Sequence, residues 1–525
     1  MQNNKQTKGE RTVRFSTLLE SLSDTEVRSS PCDPLITGIT CDSRAVLPGF
    51  IFIAIPGAIT DGHLYIDDAI GRGAAAVVLE RPCKCDGAVV VKVPIARKAL
   101  AELSRCFYGY ADRDLFMIGV TATNGKTTTT SMVNHLLSMH DIPTSVIGSV
   151  AYSFGGKHTQ SSLTTPESSD LHRMLAEHRD AGVQVVSMEV SSIAEEQYRV
   201  YGIEYDIVAF LNITPDHLPD HGSFEAYYQA KSKLIQTVAH GVPVILNRDD
   251  PLVFALAETT PGQVITISIE HNDVDVTAEN LNLTGGIPSF DLVIRNPIPT
   301  KAGILQPGRW AIELSVPGRH SVYNAMAAMI ITLCYGLQPN DVTENIRSFQ
   351  GVERRLQIIY QGDFTIIDDH ISDEDNTRKM LEALQVMAEG RPVKIIYAVR
   401  GNRGVLVNRE VVAQFAEYRD RINWKTFIVT SSVDVARTRD IVHDEERDVV
   451  LDDLQKSGYD ITYMPELIKA INETLPLVRD GEFFVLAGSH NMDKGARIAL
   501  NLLADTRPDL DRDMILKPLE KRIMG

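Results

Sequence analysis

No stretch of this chain approaches the roughly 18 consecutive apolar residues of a membrane-spanning helix, although 44% of its 525 residues are hydrophobic. That excludes a membrane span and leaves a globular chain. The opening segment MQNNKQTKGERTVR has no apolar signal core, which predicts a disordered polar tail over 1–14 on a cytoplasmic protein. Positive charge is short as well. The 52 Lys and Arg face 69 Asp and Glu, and the net charge of −17 argues against a nucleic-acid partner. Cysteine is sparse, six in all, and Cys83-Lys-Cys85 has no second pair or histidine cluster beside it, so reduced thiols are expected rather than a metal site.

What is present is organised around LFMIGVTATNGKTTTTSMVNHLLSM, Leu115 to Met139. Leu115 to Val120 is an apolar run of strand length, and Met132, Val133, Leu136, Leu137 and Met139 share one helix face. Between them lies a Gly-Lys-Thr turn. A strand, such a turn and a helix make a phosphate loop: backbone N–H groups at the helix start face phosphate, Lys126 adds a point charge, and a threonine hydroxyl reaches Mg²⁺. The strict spacing GxxxxGK(S/T) is missing, because Gly119 lies six residues before Gly125. The plainer alternative is a Thr-rich helix cap with a solvated lysine; the strand–loop–helix context favours the phosphate loop.

The length predicts about three domains. Residues 15–110 read as a small α/β domain, with helical spacing from Phe15 to Leu22, a strand at Phe50 to Ile55, strands AAAVVLE and AVVVKV, and an amphipathic helix ALAELSRCFYGY. Residues 111–340 alternate strands and helices, which predicts a mainly parallel sheet with ligands at the carboxyl ends of its strands. Glu189 ends the strand that begins at Val185, where a carboxylate suits Mg²⁺. Asn212, Asp216, His217, Asp220 and His221 follow the strand Ile207 to Leu211, but Pro219 argues against a helix aligning the two histidines. Residues 345–525 alternate again through FTIID, KIIYAV, TFIVT and FFVLAG.

These motifs resemble the Mur ligases. GVTATNGKTTTT is similar to the family loop GVTGTNGKTTT, with Ala122 for a glycine; if that position needs a positive φ, alanine costs roughly 1 kcal/mol there. Residues 42–80 follow the DSR…PG pattern of the family's tripeptide-synthetase type, VVSMEVSSIAEEQYRV follows MEVSSHAL..RV with Ile193 for the histidine, and the stretch after Ile207 follows FTN...DHLD.HG..E.Y..AK. The resemblance implies an α/β, three-domain architecture: a UDP-sugar-binding domain over 15–110, a central ATP-binding P-loop-type parallel sheet over 111–340, and a Rossmann-like amino-acid-binding domain over 345–525. It implies ATP on Thr121, Ala122, Thr123, Asn124, Gly125, Lys126 and Thr127, with Asn212, Asn247, Asn324 and Asp368 on the nucleotide. Mg²⁺ falls to Thr127, Glu189, His217 and a carbamylated Lys231. The uridine falls to Cys41, Ser43 and residues 58–60, and the rest of the acid substrate to Thr164, Thr165, Ser191, Gln197 and Arg199. Lys126, Lys231, Glu189, His217 and Arg355 are the implied catalytic set.

The implied reaction is ATP-dependent joining of an amino acid to a UDP-MurNAc-peptide, with small-molecule substrates, no nucleic acid, no membrane and a monomeric enzyme. A carboxylate attacks the γ-phosphate, and an amine then displaces phosphate from the acyl phosphate. Two other classes compete: a related ligase for another acid or amine, and a nucleotide-binding protein without ligase activity. Retention of Lys126, Glu189, His217 and Lys231 speaks against the second. In the third domain the resemblance weakens. The family's DNPR becomes Ser431-Ser432-Val433-Asp434, GKGHE becomes Gly488-Ser489-His490-Asn491, and His370 is displaced by one position. Meso-diaminopimelate is therefore expected to be a poor substrate, with lysine, ornithine or another amine preferred and Arg400, Arg403, Ser431 and Asn491 near its pocket.

Overall fold

The computed structural model describes residues 11–27, 32–57, 60–83, 86–154, 157–161, 163–216, 218–520 and 522–523. The expected sites at His217, Ala58 and Ile59 lie outside them, as do residues 1–10. Three larger sheets follow the chain: five strands within 26–92, eleven within 116–313 and six within 357–488. The mixed α/β class with largely parallel sheets is the expected one.

The second sheet builds the site. Its centre uses β1 (Phe116–Thr121), β2 (Thr144–Ile147), β3 (Val185–Glu189), β4 (Ile207–Phe210) and β5 (Pro243–Asn247). They lie side by side in the order β2-β3-β1-β4-β5, all parallel. Each is an almost unbroken apolar run because both faces are covered. Residues of alternate parity point to opposite faces. Ile118 and Val120 meet Met132, Val133 and Leu136 of α1 (Lys126–Ser138) and Met326 and Ile330 of α3 (His320–Tyr335). Met117, Val186, Met188 and Phe210 meet Leu234 and Ile235 of α2 (Phe224–Gln236). The chain leaves β1 toward β2 on one side and later returns to β4 on the other. Such a reversal opens a crevice at the carboxyl ends of the strands, where Thr121, Glu189 and Asn247 stand.

In the third sheet β6 (Thr365–Asp369) pairs in parallel with β8 (Phe483–Gly488), which pairs with β7 (Val393–Ala398). The helix α4 (Glu374–Ala388) follows β6 and reaches the phosphate loop, where Asn124 Nδ2 donates to Asp375 Oδ2 at 2.5 Å. The sequence departs from its expected pattern at the start. Val13–Arg14, placed in the polar tail, form a short strand against Leu35–Ile36, because Val13 packs on the apolar core of the first sheet. The first helix runs Phe15–Leu19, shorter than its apolar spacing suggests. Among the described residues no helix is long and apolar enough to cross a membrane.

One core feature predicts acid lability. His172, on the helix Ser168–Asp180, is buried with neither ring nitrogen hydrogen-bonded, and burial pushes its pKa down to about 4. The folded state holds the ring neutral, whereas the unfolded chain takes up a proton below about 6.5. Stability is therefore lost as pH falls from 6.5 toward 4, by roughly 3 kcal/mol from this ring alone. Denaturant melts of His172→Leu across pH 7 to 4 should show a visibly flatter acid limb than the parent. Parallel limbs would mean that another group drives the loss.

Candidate active site

The loop after β1 is shaped by its glycine and two lysines. Gly125 caps α1 with φ +99, and a Cβ there would come within 2.3 Å of Asn324 Oδ1, so only glycine fits. Ala122 is not among the positive-φ residues, which removes the strain its substitution for glycine suggested. Its carbonyl instead accepts from Lys126 Nζ at 2.7 Å and from Lys231 Nζ at 2.8 Å. Two lysine side chains thus converge on one loop oxygen. Lys126 also donates to the Thr123 carbonyl at 3.0 Å. Burial and the neighbouring Lys126 hold the Lys231 pKa well below its usual range, against the pull of Asp216 and Glu189. Lys231 is 2% exposed and lies over the Tyr227 ring at 4.9 Å.

Glu189 ends β3 with no exposure. Its carboxylate accepts from the Ser149 N–H at 2.8 Å and the Ser149 hydroxyl at 2.9 Å. Gly148 makes room for it, since a Cβ there would approach Glu189 Oε1 to 2.2 Å. Among the described residues no cluster of three or more His, Cys, Asp or Glu forms a ready metal cage. Mg²⁺ needs fewer, because phosphate oxygens and water complete its shell. Glu189, the Thr127 hydroxyl and an anionic form of Lys231 are a donor set of that kind, all beside Lys126.

Three cavities meet here. The largest, about 740 Å³, is lined by Asn247, Asp249, His320, Tyr323 and Asn324, and from the third sheet's side by Arg378 and Lys379. Burial pushes the His320 pKa down to about 4, keeping the ring neutral. A phosphate-sized cavity of about 130 Å³ is lined by Gly125, Lys126, Thr127, Glu189, Arg355 and Asp369. A third, about 300 Å³, carries Thr164, Ser191, Arg199, Asp216 and Lys231 and shares Thr123, Lys126, Ser149, Arg355 and His370 with the second. Arg355 is drawn toward Asp369 and Glu189 while burial lowers its pKa. The first cavity suits a nucleoside, the second phosphates, the third an anionic acid substrate.

Several expected residues also brace the cavity walls through hydrogen bonds of their own. Asn212 accepts from the Asn124 N–H at 3.0 Å and donates to the Asn124 carbonyl at 2.8 Å, bracing the loop. Asn247 Nδ2 donates to the Leu211 carbonyl at 2.9 Å, and Thr121 to the Val190 carbonyl at 2.9 Å. Thr165 Oγ1 ties the Glu189 carbonyl (2.8 Å) to the Ser191 N–H (3.1 Å). Arg199 bonds the Thr165 carbonyl at 3.0 Å and the Gln197 amide at 2.7 Å, and pairs with Glu167 at 2.8 Å. Glu167 also takes Arg97 at 3.3 Å. Burial and the charge of Glu167 raise the Cys41 thiol to about 11, so Cys41 stands near the same ion pairs. Ser43 is buried in a short helical turn capped by Asp42.

Asp368 requires a correction. It is fully buried and its carboxylate pairs with Arg354 and Arg522, away from the nucleotide cavity. Adjacent strand residues face opposite ways, so Asp369 lines the phosphate cavity instead. Of the residues expected near the amine pocket, Ser431 bonds the Tyr463 hydroxyl at 3.0 Å, Asn491 the Val399 carbonyl at 3.0 Å, and Arg400 the Ser372 carbonyl. The Arg403 side is exposed, with its N–H on Glu446 at 2.7 Å. Residues that sequence reasoning missed are Ser149, Asp249, Tyr323, Asp375, Arg378 and Lys379. Tyr323 directly precedes Asn324, which the resemblance places on the nucleotide, and its hydroxyl donates to Asp249 at 2.7 Å.

Comparison with known proteins agrees with this geometry. Residues 120–332 match the Mur ligase middle domain, and residues 35–108 match a domain described as the Mur ligase family, catalytic domain. A protein of Halalkalibacterium halodurans named UDP-N-acetylmuramoyl-L-alanyl-D-glutamate–2,6-diaminopimelate ligase is 32% identical over 482 residues, 91% of this chain and 93% of that one. A Bacillus licheniformis protein of the same name is 35% identical over 72% of this chain and 76% of its own. Among solved structures, one of a ligase with that name superposes with a TM-score of 0.65 at 23% identity, covering 91% of this chain and 93% of the other. MurF ligase from Thermotoga maritima in complex with ADP superposes with a TM-score of 0.59 at 17% identity, covering 92% and 98%. At those identities the two structures speak for the fold.

Proposed function

The chain belongs to the Mur ligase family, and from that premise we propose that it is an ATP-dependent ligase joining an amino acid to a UDP-MurNAc-peptide through an acyl phosphate. The observation that carries the reading is the convergence of Lys126 and Lys231 on the Ala122 carbonyl, beside Glu189 and Arg355, where the phosphate and acid-substrate cavities meet. ATP lies with its base in the large cavity and its γ-phosphate at Lys126. Lys126 and Arg355 neutralise two approaching anions, the substrate carboxylate and the phosphate. Thr127, Glu189 and a carbamylated Lys231 would hold Mg²⁺, which would supply further charge neutralisation. Arg199 and Ser191 hold the acid substrate, with its UDP-sugar end toward Cys41 and Ser43 in the domain over 15–110. The domain over 345–525 presents the amine.

The relatives are named as diaminopimelate ligases, and the amine is where this chain parts from them. Where the family has GKGHE this chain has Gly488-Ser489-His490-Asn491; Asn491 is buried and donates to the Val399 carbonyl at 3.0 Å, and Asp493 is paired with Arg354 and Arg437. A second charged end on the amine would lack the partners that the two family motifs supply, a rejection of about a hundredfold or more. ADP release with UDP-MurNAc-L-Ala-D-Glu, ATP and a panel of amines tests both points. Lysine, ornithine or another amine is expected to exceed meso-diaminopimelate in kcat/KM. A clear preference for diaminopimelate would overturn the amine assignment, and silence with every amine would overturn the ligase reading.

A further inference from the structure

The linker that joins the second sheet to the third turns left-handed three times within six residues, at Gly351 (φ +89), Arg354 (φ +55) and Leu356 (φ +49). Arginine and leucine are disfavoured in that conformation and persist there only when their surroundings hold them. Several contacts do so from within the third sheet. The Leu356 N–H donates to Asp369 at 2.7 Å, the Arg354 carbonyl accepts from the His370 N–H at 2.9 Å, and the Arg354 guanidinium reaches Asp368, Asp493 and the Gly488 carbonyl.

A second set comes from far along the chain. The Arg522 side chain is wholly buried against Asp368, and it donates to Gln357 Oε1 at 3.3 Å. The next residue, Ile523, donates its N–H to Glu353 Oε1 at 2.5 Å. Residues 522–523 thereby grip the linker on both sides of Arg354 and share Asp368 with it. Between the two left-handed residues lies Arg355, whose side chain lines the phosphate cavity with Lys126 and Glu189.

We infer that Arg522 and Ile523 clasp the linker and thereby aim Arg355 into the phosphate cavity, making Arg522 a positioning residue that itself touches no substrate. The inference rests on the ligase reading for its kinetic consequence and on geometry alone for its structural one. Without Arg522, the ion pair left to the Asp368 carboxylate among the described residues is the longer one to Arg354 at 3.4 Å, and the linker relaxes out of its left-handed turns. The Arg355 guanidinium then leaves the anions it serves, while Asn247 and Tyr323 still shape the nucleoside cavity. The loss belongs in kcat and not in the KM for ATP.

Arg522→Leu is expected to lower kcat by about tenfold or more with the KM for ATP within about twofold, and Arg522→Lys to recover most of it. Arg355→Ala with Arg522→Leu should cost little more than Arg355→Ala alone, the non-additivity of two residues acting through one contact. Limited trypsinolysis reads the clasp independently of ligation: cleavage after Arg354 or Arg355 should run about tenfold faster in Arg522→Leu. If the parent releases no ADP but the linker is still unmasked, the ligase reading fails and the clasp stands. An unchanged kcat with unchanged proteolysis, or fully additive losses, overturns the clasp. Should Arg522→Leu fail to fold, Ile523→Pro and Glu353→Ala each remove the hydrogen bond between the Ile523 N–H and Glu353 and are held to the same two readouts.

Discussion

Lys126→Ala should reduce ATP-dependent turnover by about a thousandfold or more while leaving the fold intact. Among the described residues the side chain donates to the Ala122 and Thr123 carbonyls of its own loop, and a net hydrogen bond of that kind contributes about 1 kcal/mol. Removing a buried cation offsets part of that, so the melting temperature should move by a few degrees at most. In the transition state the loss is larger. A triphosphate and an attacking carboxylate face each other, and a preorganised charge in a water-poor site contributes several kcal/mol there, each about 1.4 kcal/mol being tenfold in rate. The variant should bind the nucleoside in the large cavity with modest change, because Asn247, His320 and Tyr323 are untouched. ADP release measured at saturating substrates decides the matter. Turnover within about tenfold of the parent would mean that the loop is not the phosphate site.

Lys231→Ala should cost about a hundredfold or more and be restored in part by short-chain carboxylic acids. Its amine is buried beside Lys126, Asp216 and Glu189, with its pKa well below the usual lysine range. Desolvation and a neighbouring cation both favour the neutral amine, and only the neutral amine adds to CO2. One N–C bond forms, one proton is released, and the neutral amine becomes a carboxylate-like anion. That anion completes the donor set with Glu189 and Thr127. The sign of the pH effect follows: carbamylation rises with pH and dissolved CO2 and reverses on acidification. A ¹³C resonance from labelled bicarbonate, present in the parent and absent in Lys231→Ala, reads the modification without any turnover. No such signal at alkaline pH, together with no rescue by acetate, would show that the lysine works as a plain amine.

Much of the second domain was legible from the residues. A strand followed by Gly-Lys-Thr and an amphipathic helix is a local pattern, and local hydrophobic periodicity set β1 and α1 within a residue or so of their bounds. The same holds for Glu189 at the end of its apolar run, because a strand's end and a carboxylate's position are both read within a few residues. What a short window cannot carry is the partner of each polar group. Asn212 carries the right motif yet braces Asn124, and Asp368 fills an ion-pair cluster while its neighbour Asp369 faces the cavity. Strand alternation made one of the two aspartates inward and the other outward, and only the sheet decides which.

The long-range contacts that assemble the site lie further still from any sequence signal. Asn124 meets Asp375, Lys126 meets the field of Arg355, and Arg522 reaches back to Asp368. The Asn124–Asp375 pair is separated by 251 residues and the Arg522–Asp368 pair by 154, and no periodicity or turn chemistry encodes such distant partners. The sequence by itself determined the α/β class, the phosphate loop, the two lysines and the acidic strand end, since each follows from backbone geometry over a short span. Tertiary structure alone decided how Arg355 is aimed and which carboxylates are already paired, because those depend on where the third sheet's burial and charge come to rest against the second.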